Sequence, residues 1–164
     1  MLYFSYGSNM SIKRLRKRIP SAKRVAVAGL SNHELKFHKK STKDGSAKSD
    51  IIETHNPDTI VFGVVFDIDD SEKIKLDQIE GLGKGYEEKF VEVISIEGNL
   101  LEATTYYATN IDPSLKPFSW YKEHVLRGAK ENNFPDEYIQ NIIGIKTIED
   151  PKPERHAEEM AIYC

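Results

Sequence analysis

Thiol chemistry has little foothold in this chain, because its one cysteine, Cys164, stands at the last of 164 positions. A lone thiol forms no intrachain disulfide, and a tail position suits a catalytic thiolate poorly, which narrows the chemistry to carboxylates, hydroxyls, imidazoles and backbone amides. Long apolar runs are missing too. No stretch approaches the roughly 20 apolar residues of a membrane-spanning helix. The first residues also reverse the order of a secretion signal, with Leu2, Tyr3 and Phe4 ahead of the basic ones. A cytoplasmic protein with no membrane partner is expected. Charge of one sign is scarce: 23 basic residues against 26 acidic ones leave a net charge of −3. The one basic run, Lys13, Arg14, Arg16, Lys17 and Arg18, reads as a solvated helix face rather than a nucleic-acid patch. The histidines show no metal-type spacing beyond the weak pair His33 and His38, so no metal site is expected from them.

What is present is an ordinary globular composition, 39% hydrophobic and 30% charged, in a chain of one-domain length. Leu2 to Tyr6 reads as a short strand, broken by Gly7-Ser8-Asn9. A helix capped by Ser11 follows, ending at Pro20. Arg24 to Leu30 alternates like a strand, Leu35 and Phe37 continue extended chain, and Lys39 to Ser49 is a polar stretch turning at Asp44-Gly45-Ser46. The continuous apolar run Ile60 to Ile68 predicts a strand buried on both faces. Asp70 to Ile79 predicts a helix with Ile74, Leu76 and Ile79 inward, stopped by Gly81, Gly83 and Gly85. Phe90 to Ile96 and Leu100 to Ala108 form a hairpin around Glu97-Gly98-Asn99. Trp120, Tyr121, His124, Val125 and Gly128 make a helical stripe, and Pro135 opens another helix through Ile143. The charged segment 151–164 stays unassigned. About six strands and four helices, several strands being apolar on both faces, point to an α+β domain: a small mixed β-barrel with helices outside, spanning residues 1–164.

Two places carry candidate chemistry. A strand, then Tyr6-Gly7-Ser8-Asn9-Met10, then a helix start suits an anion, since glycine lets backbone approach closely and free amides favour a carboxylate or phosphate. The same residues also make an ordinary turn. Gly81-Leu82-Gly83-Lys84-Gly85 imitates a phosphate loop, but it follows a helix and lacks the G-x-x-x-x-G-K-[ST] pattern, so it reads as a sharp turn beside Glu80. Glu80 itself, before a glycine at a helix end, reads by default as a surface residue.

Four segments in order change that reading. Tyr3-Phe4-Ser5-Tyr6-Gly7-Ser8-Asn9-Met10 resembles the N-terminal signature of the γ-glutamylcyclotransferase-like family, which includes the AIG2-like proteins. Phe62-Gly63-Val64-Val65-Phe66 resembles its central strand. Leu76-Asp77-Gln78-Ile79-Glu80-Gly81 with Gly85-Tyr86 resembles the segment bearing its catalytic glutamate, and Tyr121 to Asn132 resembles the helix closing its site. The resemblance implies a small mixed barrel and a metal-free, cofactor-free enzyme. The substrate's own α-amino group attacks its γ-glutamyl carbonyl, giving 5-oxoproline and a free amine or amino acid. It implies Glu80 as catalytic acid and base, and a substrate-binding set of Tyr6, Gly7, Ser8, Asn9, Tyr86 and Tyr121.

Such a cyclisation needs no protein nucleophile. Holding the nitrogen near the carbonyl recovers about 7–11 kcal/mol of barrier, and one well-placed carboxyl contributes about 10²–10⁴-fold. An apolar setting is expected for Glu80, with Ile79, Leu82 and Tyr86 as neighbours, and Ser41, Asp44 and Ser46 are candidates for the substrate mouth. Ala47 stands where relatives are expected to have glycine. The leaving group is open: an amino acid, a γ-glutamylamine, a γ-glutamylated lysine or biosynthetic intermediate, or glutathione, chosen by loops around 39–50 and 110–118. The reading from another class is a non-catalytic small-molecule binding module. No nucleic-acid partner is expected, and the oligomeric state has no readable code.

Overall fold

The computed structural model describes all 164 residues. In chain order it runs β1 (Leu2–Ser5), α1 (Ile12–Arg18), β2 (Lys23–Ser31), β3 (His33–Lys40), β4 (Ala47–Glu53) and β5 (Ile60–Asp67). Then follow α2 (Lys73–Glu80), β6 (Tyr86–Ser95), β7 (Leu100–Ala108), α3 (Ser119–Glu131), α4 (Asp136–Ile143) and α5 (Pro153–Met160). Five strands close into a barrel in the order β1-β5-β2-β6-β7, and β3 and β4 form a separate two-stranded sheet. The closure is a parallel contact, Tyr3 opposite Thr104, whereas the other barrel pairings are antiparallel.

The apolar run in β5 earns its central place. Val61, Val64, Val65 and Phe66 are buried on both faces of the strand, between β1 and β2. One face joins the larger core, with Tyr3, Leu76, Tyr106 and Val125, and the other joins a smaller cluster inside the barrel, with Phe4, Leu30 and Val93. The long hairpin β6–β7 pairs nine residue couples from Tyr86↔Ala108 to Ile94↔Leu100. That pairing fixes which side of β7 faces inward and puts Tyr106 at the barrel mouth beside Tyr3, rings at 65°.

Four expectations are corrected. There are seven strands and five α-helices, because Ala47–Glu53 is β4 rather than loop. Its buried residues include Ser49 and Asp50 as well as Ala47 and Ile51, so apolar alternation is hidden by polar side chains with inward work to do. The helix predicted from Asp70 is a short 3₁₀ turn, Asp70–Glu72, leading into α2. Ile74 is 73% exposed while Leu76 is buried, since residues two apart on a helix point to nearly opposite sides. The unassigned tail holds α5, docked on α1 and α3 through Glu159, which accepts from Arg14 at 2.9 Å and meets His124 Nε2 at 2.7 Å. Arg14 therefore leaves the solvated face read for the basic run and is buried, while Lys13, Arg16 and Lys17 stay exposed.

Candidate active site

The strand β1 carries the chain to the mouth of the barrel, where Tyr6 to Asn9 turns towards α1. The turn passes so close to β4 that a Cβ on Gly7 would lie 2.2 Å from Ser49 Oγ and 3.5 Å from the Tyr121 hydroxyl. Only glycine fits there. The amide N–H groups of Gly7, Ser8 and Asn9 donate to no acceptor in the protein. On the other side, α2 ends at Glu80 because Gly81 adopts φ +82°, a left-handed cap whose N–H bonds to the Asp77 carbonyl. That stop brings the Glu80 carboxylate over the turn.

Glu80 Oε1 accepts from the Tyr3 hydroxyl and, at 2.9 Å, from Asn9 Nδ2. The setting is polar rather than the apolar one expected. Ile79 and Leu82 pack against the core instead, so burial of their side chains leaves the carboxylate to the hydrogen-bonding groups of the cleft. Asp77, one turn earlier on α2, accepts from the Tyr106 hydroxyl at 2.6 Å. Two tyrosines of the barrel thus seize two carboxylates on one helix face, at the three-residue spacing that puts them side by side. Tyr121 reaches in from α3, where its hydroxyl accepts from Ser49 N–H at 3.0 Å and lies 2.7 Å from Ser49 Oγ. Tyr86 donates to the Ser49 carbonyl at 2.6 Å. Burial pushes the hydroxyls of Tyr3, Tyr6 and Tyr86 well above the usual range for tyrosine, so they remain protonated.

Together these groups line a narrow cleft with about 30 Å³ of free space. Glu80, Tyr6, Gly7, Ser8, Asn9, Tyr86 and Tyr121, the seven residues singled out in the sequence, all line it. An AIG2-like family model matches residues 60–142, the span from β5 into α4 that contains Glu80 and Tyr121. Human γ-glutamylcyclotransferase is 35% identical over 148 residues, which cover 88% of this chain and 78% of that protein. Bovine γ-glutamylcyclotransferase matches with the same identity and coverage. A solved γ-glutamyl cyclotransferase structure superposes with a TM-score of 0.87 at 30% identity, covering 99% of this chain and 98% of that one. The chain belongs to the γ-glutamylcyclotransferase family.

Membership in the γ-glutamylcyclotransferase family makes the chain an enzyme. Sequence reasoning missed six lining residues: Tyr3, Phe4, Ser5, Ser49, Thr105 and Tyr106. Tyr3 and Tyr106 were legible as strand residues, but nothing distinguished them from core. The buried hydroxyl of Ser5 has no partner in the protein. Outside the cleft, and sharing Ser8, Asn9, Glu80, Tyr86 and Tyr121 with it, opens a vestibule of about 300 Å³. Ser41 and Asp44 line it as expected of the mouth; Ser46 instead binds Asp44 Oδ1 through its hydroxyl at 2.6 Å. No residue of 110–118 reaches it, because that loop runs along β3 and β4, where Lys116 accepts from Ala47 N–H; Arg155 and Glu159 of α5 supply the wall. His124, buried on α3, is a packed residue bonded to Tyr163 and Glu159.

Proposed function

We propose that this cyclotransferase closes the γ-glutamyl group on itself with Glu80 as its one proton carrier and the Gly7–Asn9 turn as its carboxylate cradle. The observation that carries the reading is the juxtaposition of three unpaired backbone amides and a hydrogen-bonded carboxylate across one cleft. The α-nitrogen attacks the γ-carbonyl carbon, one C–N bond forms, and the bond to the leaving nitrogen breaks. In the process the α-nitrogen passes from ammonium to lactam N–H and gives up two protons. The leaving nitrogen passes from amide N–H to ammonium and gains two. A carboxylate between the nitrogens balances that exchange by carrying them in turn, and no water is consumed.

The remaining residues divide the labour. Free amides at the turn offer donors to the substrate's α-carboxylate, with any spare one available to the oxyanion. Tyr3 and Asn9 hold Glu80 in one orientation, and Tyr86 and Tyr121, both fixed to Ser49, give the wall its shape. Turning the chain over with γ-glutamyl-alanine tests the reading. Equal amounts of 5-oxoproline and alanine are expected from the wild type, and Glu80→Gln should release both about 10²–10⁴-fold more slowly while keeping the wild-type Tm. Near-normal turnover by Glu80→Gln would remove Glu80 from the mechanism.

A further inference from the structure

The vestibule is lined by seven cationic side chains and three carboxylates, in a chain whose net charge is −3. Much of that charge is already spoken for. Asp44 pairs with Lys48 at 3.0 Å, Glu159 pairs with Arg14 at 2.9 Å, and Arg155 pairs with Asp150. Four cations remain without an ion pair: Arg18, Lys39, Lys43 and Lys84, facing Glu80 alone.

Lys39 is the informative one. It is only 5% exposed, yet its ammonium takes part in no hydrogen bond or salt bridge and lies over the Tyr86 ring, 4.7 Å from its centroid. The fold puts it there on purpose of geometry: β3 bulges between Phe37 and Lys39, which sends His38 to Asp50 and turns Lys39 to the vestibule. On the far side Gly85 leaves room, since a Cβ at that residue would sit 3.1 Å from Lys39 Nζ. Burial lowers the ammonium's pKa, and Lys48 and Lys43 add to the effect. Most of the side chain is covered and the ammonium itself is half-desolvated, with Asp44 offsetting part of that effect, so an anion entering the vestibule gains a cation that no side chain of the protein pairs. Arg18 has one long contact, 3.5 Å to Asn9 Oδ1, and Lys43 and Lys84 stand exposed at the rim.

We propose that the vestibule is an anion site for the departing half of the substrate, with Lys39 its specificity-determining residue, and that the preferred γ-glutamyl compounds release an amine bearing two or more carboxylates. The proposal rests on the cyclisation reading of the Glu80 cleft, which the vestibule adjoins. One carboxylate satisfies one of the free cations; an acidic amino acid or acidic peptide satisfies several. A neutral amine leaves Lys39 unpaired, and a cationic one is repelled.

Three compounds test it: γ-glutamyl-aspartate, γ-glutamyl-alanine and γ-glutamyl-ethylamide, whose leaving groups carry two, one and no carboxylates. Values of kcat/KM for 5-oxoproline release should fall in that order, by about tenfold or more per carboxylate, the worth of a charge-assisted hydrogen bond. Raising the salt concentration should compress the ratio. Lys39→Met should narrow the aspartate-to-ethylamide ratio by about tenfold, chiefly through KM. The rim pair Lys43→Gln/Lys84→Gln, exposed and harmless to folding, should narrow it by less. Equal use of the three compounds, or an equal loss on all three in Lys39→Met, overturns the proposal, the latter by assigning Lys39 to the glutamyl half. If none of the three gives 5-oxoproline, the cyclisation reading itself fails. Calorimetry with Glu80→Gln keeps the question open to measurement even then, because equal affinity for γ-glutamyl-aspartate and γ-glutamyl-ethylamide would still refute the charge preference.

Discussion

The cleft and the vestibule share five residues and little else. In the cleft, tyrosine hydroxyls are tied to carboxylates, carbonyls or serine, and the side chains come from strands and helix ends that the barrel holds in register. In the vestibule, lysines and arginines project from a bulged strand end, a glycine turn and a terminal helix, and four of them have no counter-charge. A chamber whose tyrosines and carboxylate are already held, leaving only the turn amides and the Ser5 hydroxyl free, changes little when substrate arrives, which suits a reaction that depends on orientation. A vestibule of unsatisfied cations does the opposite: it waits for charge from outside. In the proposed division, constancy of chemistry belongs to the first region and choice of leaving group to the second.

The largest break in that contrast is chemical. Glu80→Gln removes the proposed proton carrier and should cost about 10²–10⁴-fold in kcat, with substrate affinity measured by calorimetry nearly unchanged. Next comes Gly7→Ala. Its Cβ would press on Ser49 Oγ, so the turn or β4 must shift, at a cost of about 1–3 kcal/mol in stability and with a marked loss of kcat/KM. Removing the obstructing hydroxyl should return part of both. In thermal unfolding and turnover, Gly7→Ala/Ser49→Ala should therefore exceed the sum of the two single effects in the favourable direction, a coupling reserved for groups in contact. Strict additivity would mean that Gly7 matters for something other than its approach to Ser49.

How far these regions were legible in the sequence follows from the same difference. The cleft's seven residues were readable because they sit on the turn, the helix end and the helix whose short patterns mark the family. Its other walls were not: Tyr3, Tyr106 and Thr105 look like any inward residue of a strand, and only the barrel's closure brings β1 beside β7. The strand β4 was hidden because Ser49 and Asp50 are polar where a strand buried against the site should be apolar, and they are polar because the Tyr121 hydroxyl bonds to Ser49 Oγ while His38 and the Ala108 amide bond to the Asp50 carboxylate. Of the vestibule, only the stretch around Ser41 and Asp44 was legible as a mouth, and its charge was not. Arg18, Lys39, Lys84 and Arg155 are scattered through the chain, and no window of sequence shows that they share a cavity.

A smaller effect separates two equivalent-looking contacts on α2. Tyr3→Phe removes a donor from Glu80 and leaves Asn9 to hold the carboxylate alone. A loss of about tenfold in kcat, with KM little changed, is the expected scale for one hydrogen bond to a charged group. Tyr106→Phe removes the corresponding donor from Asp77, which does not line the cleft, so its cost should fall mainly on Tm. Steady-state kinetics and unfolding curves on the two variants distinguish the roles; matching kinetic losses would show that both carboxylates serve the reaction.

The smallest expected effect concerns acid, and it should reach the vestibule wall before the chamber. Burial disfavours the charge of Glu159, but the hydrogen bond with His124 and the Arg14 guanidinium overcome it and hold the carboxyl down at about 2. Burial also pushes the His124 imidazole below its ordinary range, against the pull of Glu159. For both groups the folded state binds protons less readily than the unfolded chain, so both contributions to stability are complete at neutral pH. That of His124 begins to fade as pH drops through the ordinary histidine range near 6.5, and that of Glu159 fades from about 4.5 down towards about 2. The Tm should therefore decline on acidification, and Glu159→Gln, already less stable at pH 7, should decline less steeply between pH 5 and 3. The chain's single tryptophan, Trp120, has its ring centroid 5.7 Å from that of His124, so its fluorescence reports on this wall directly. A change in Trp120 emission ahead of the global transition would show α5 loosening first, whereas coincident transitions would mean that wall and barrel unfold as one unit.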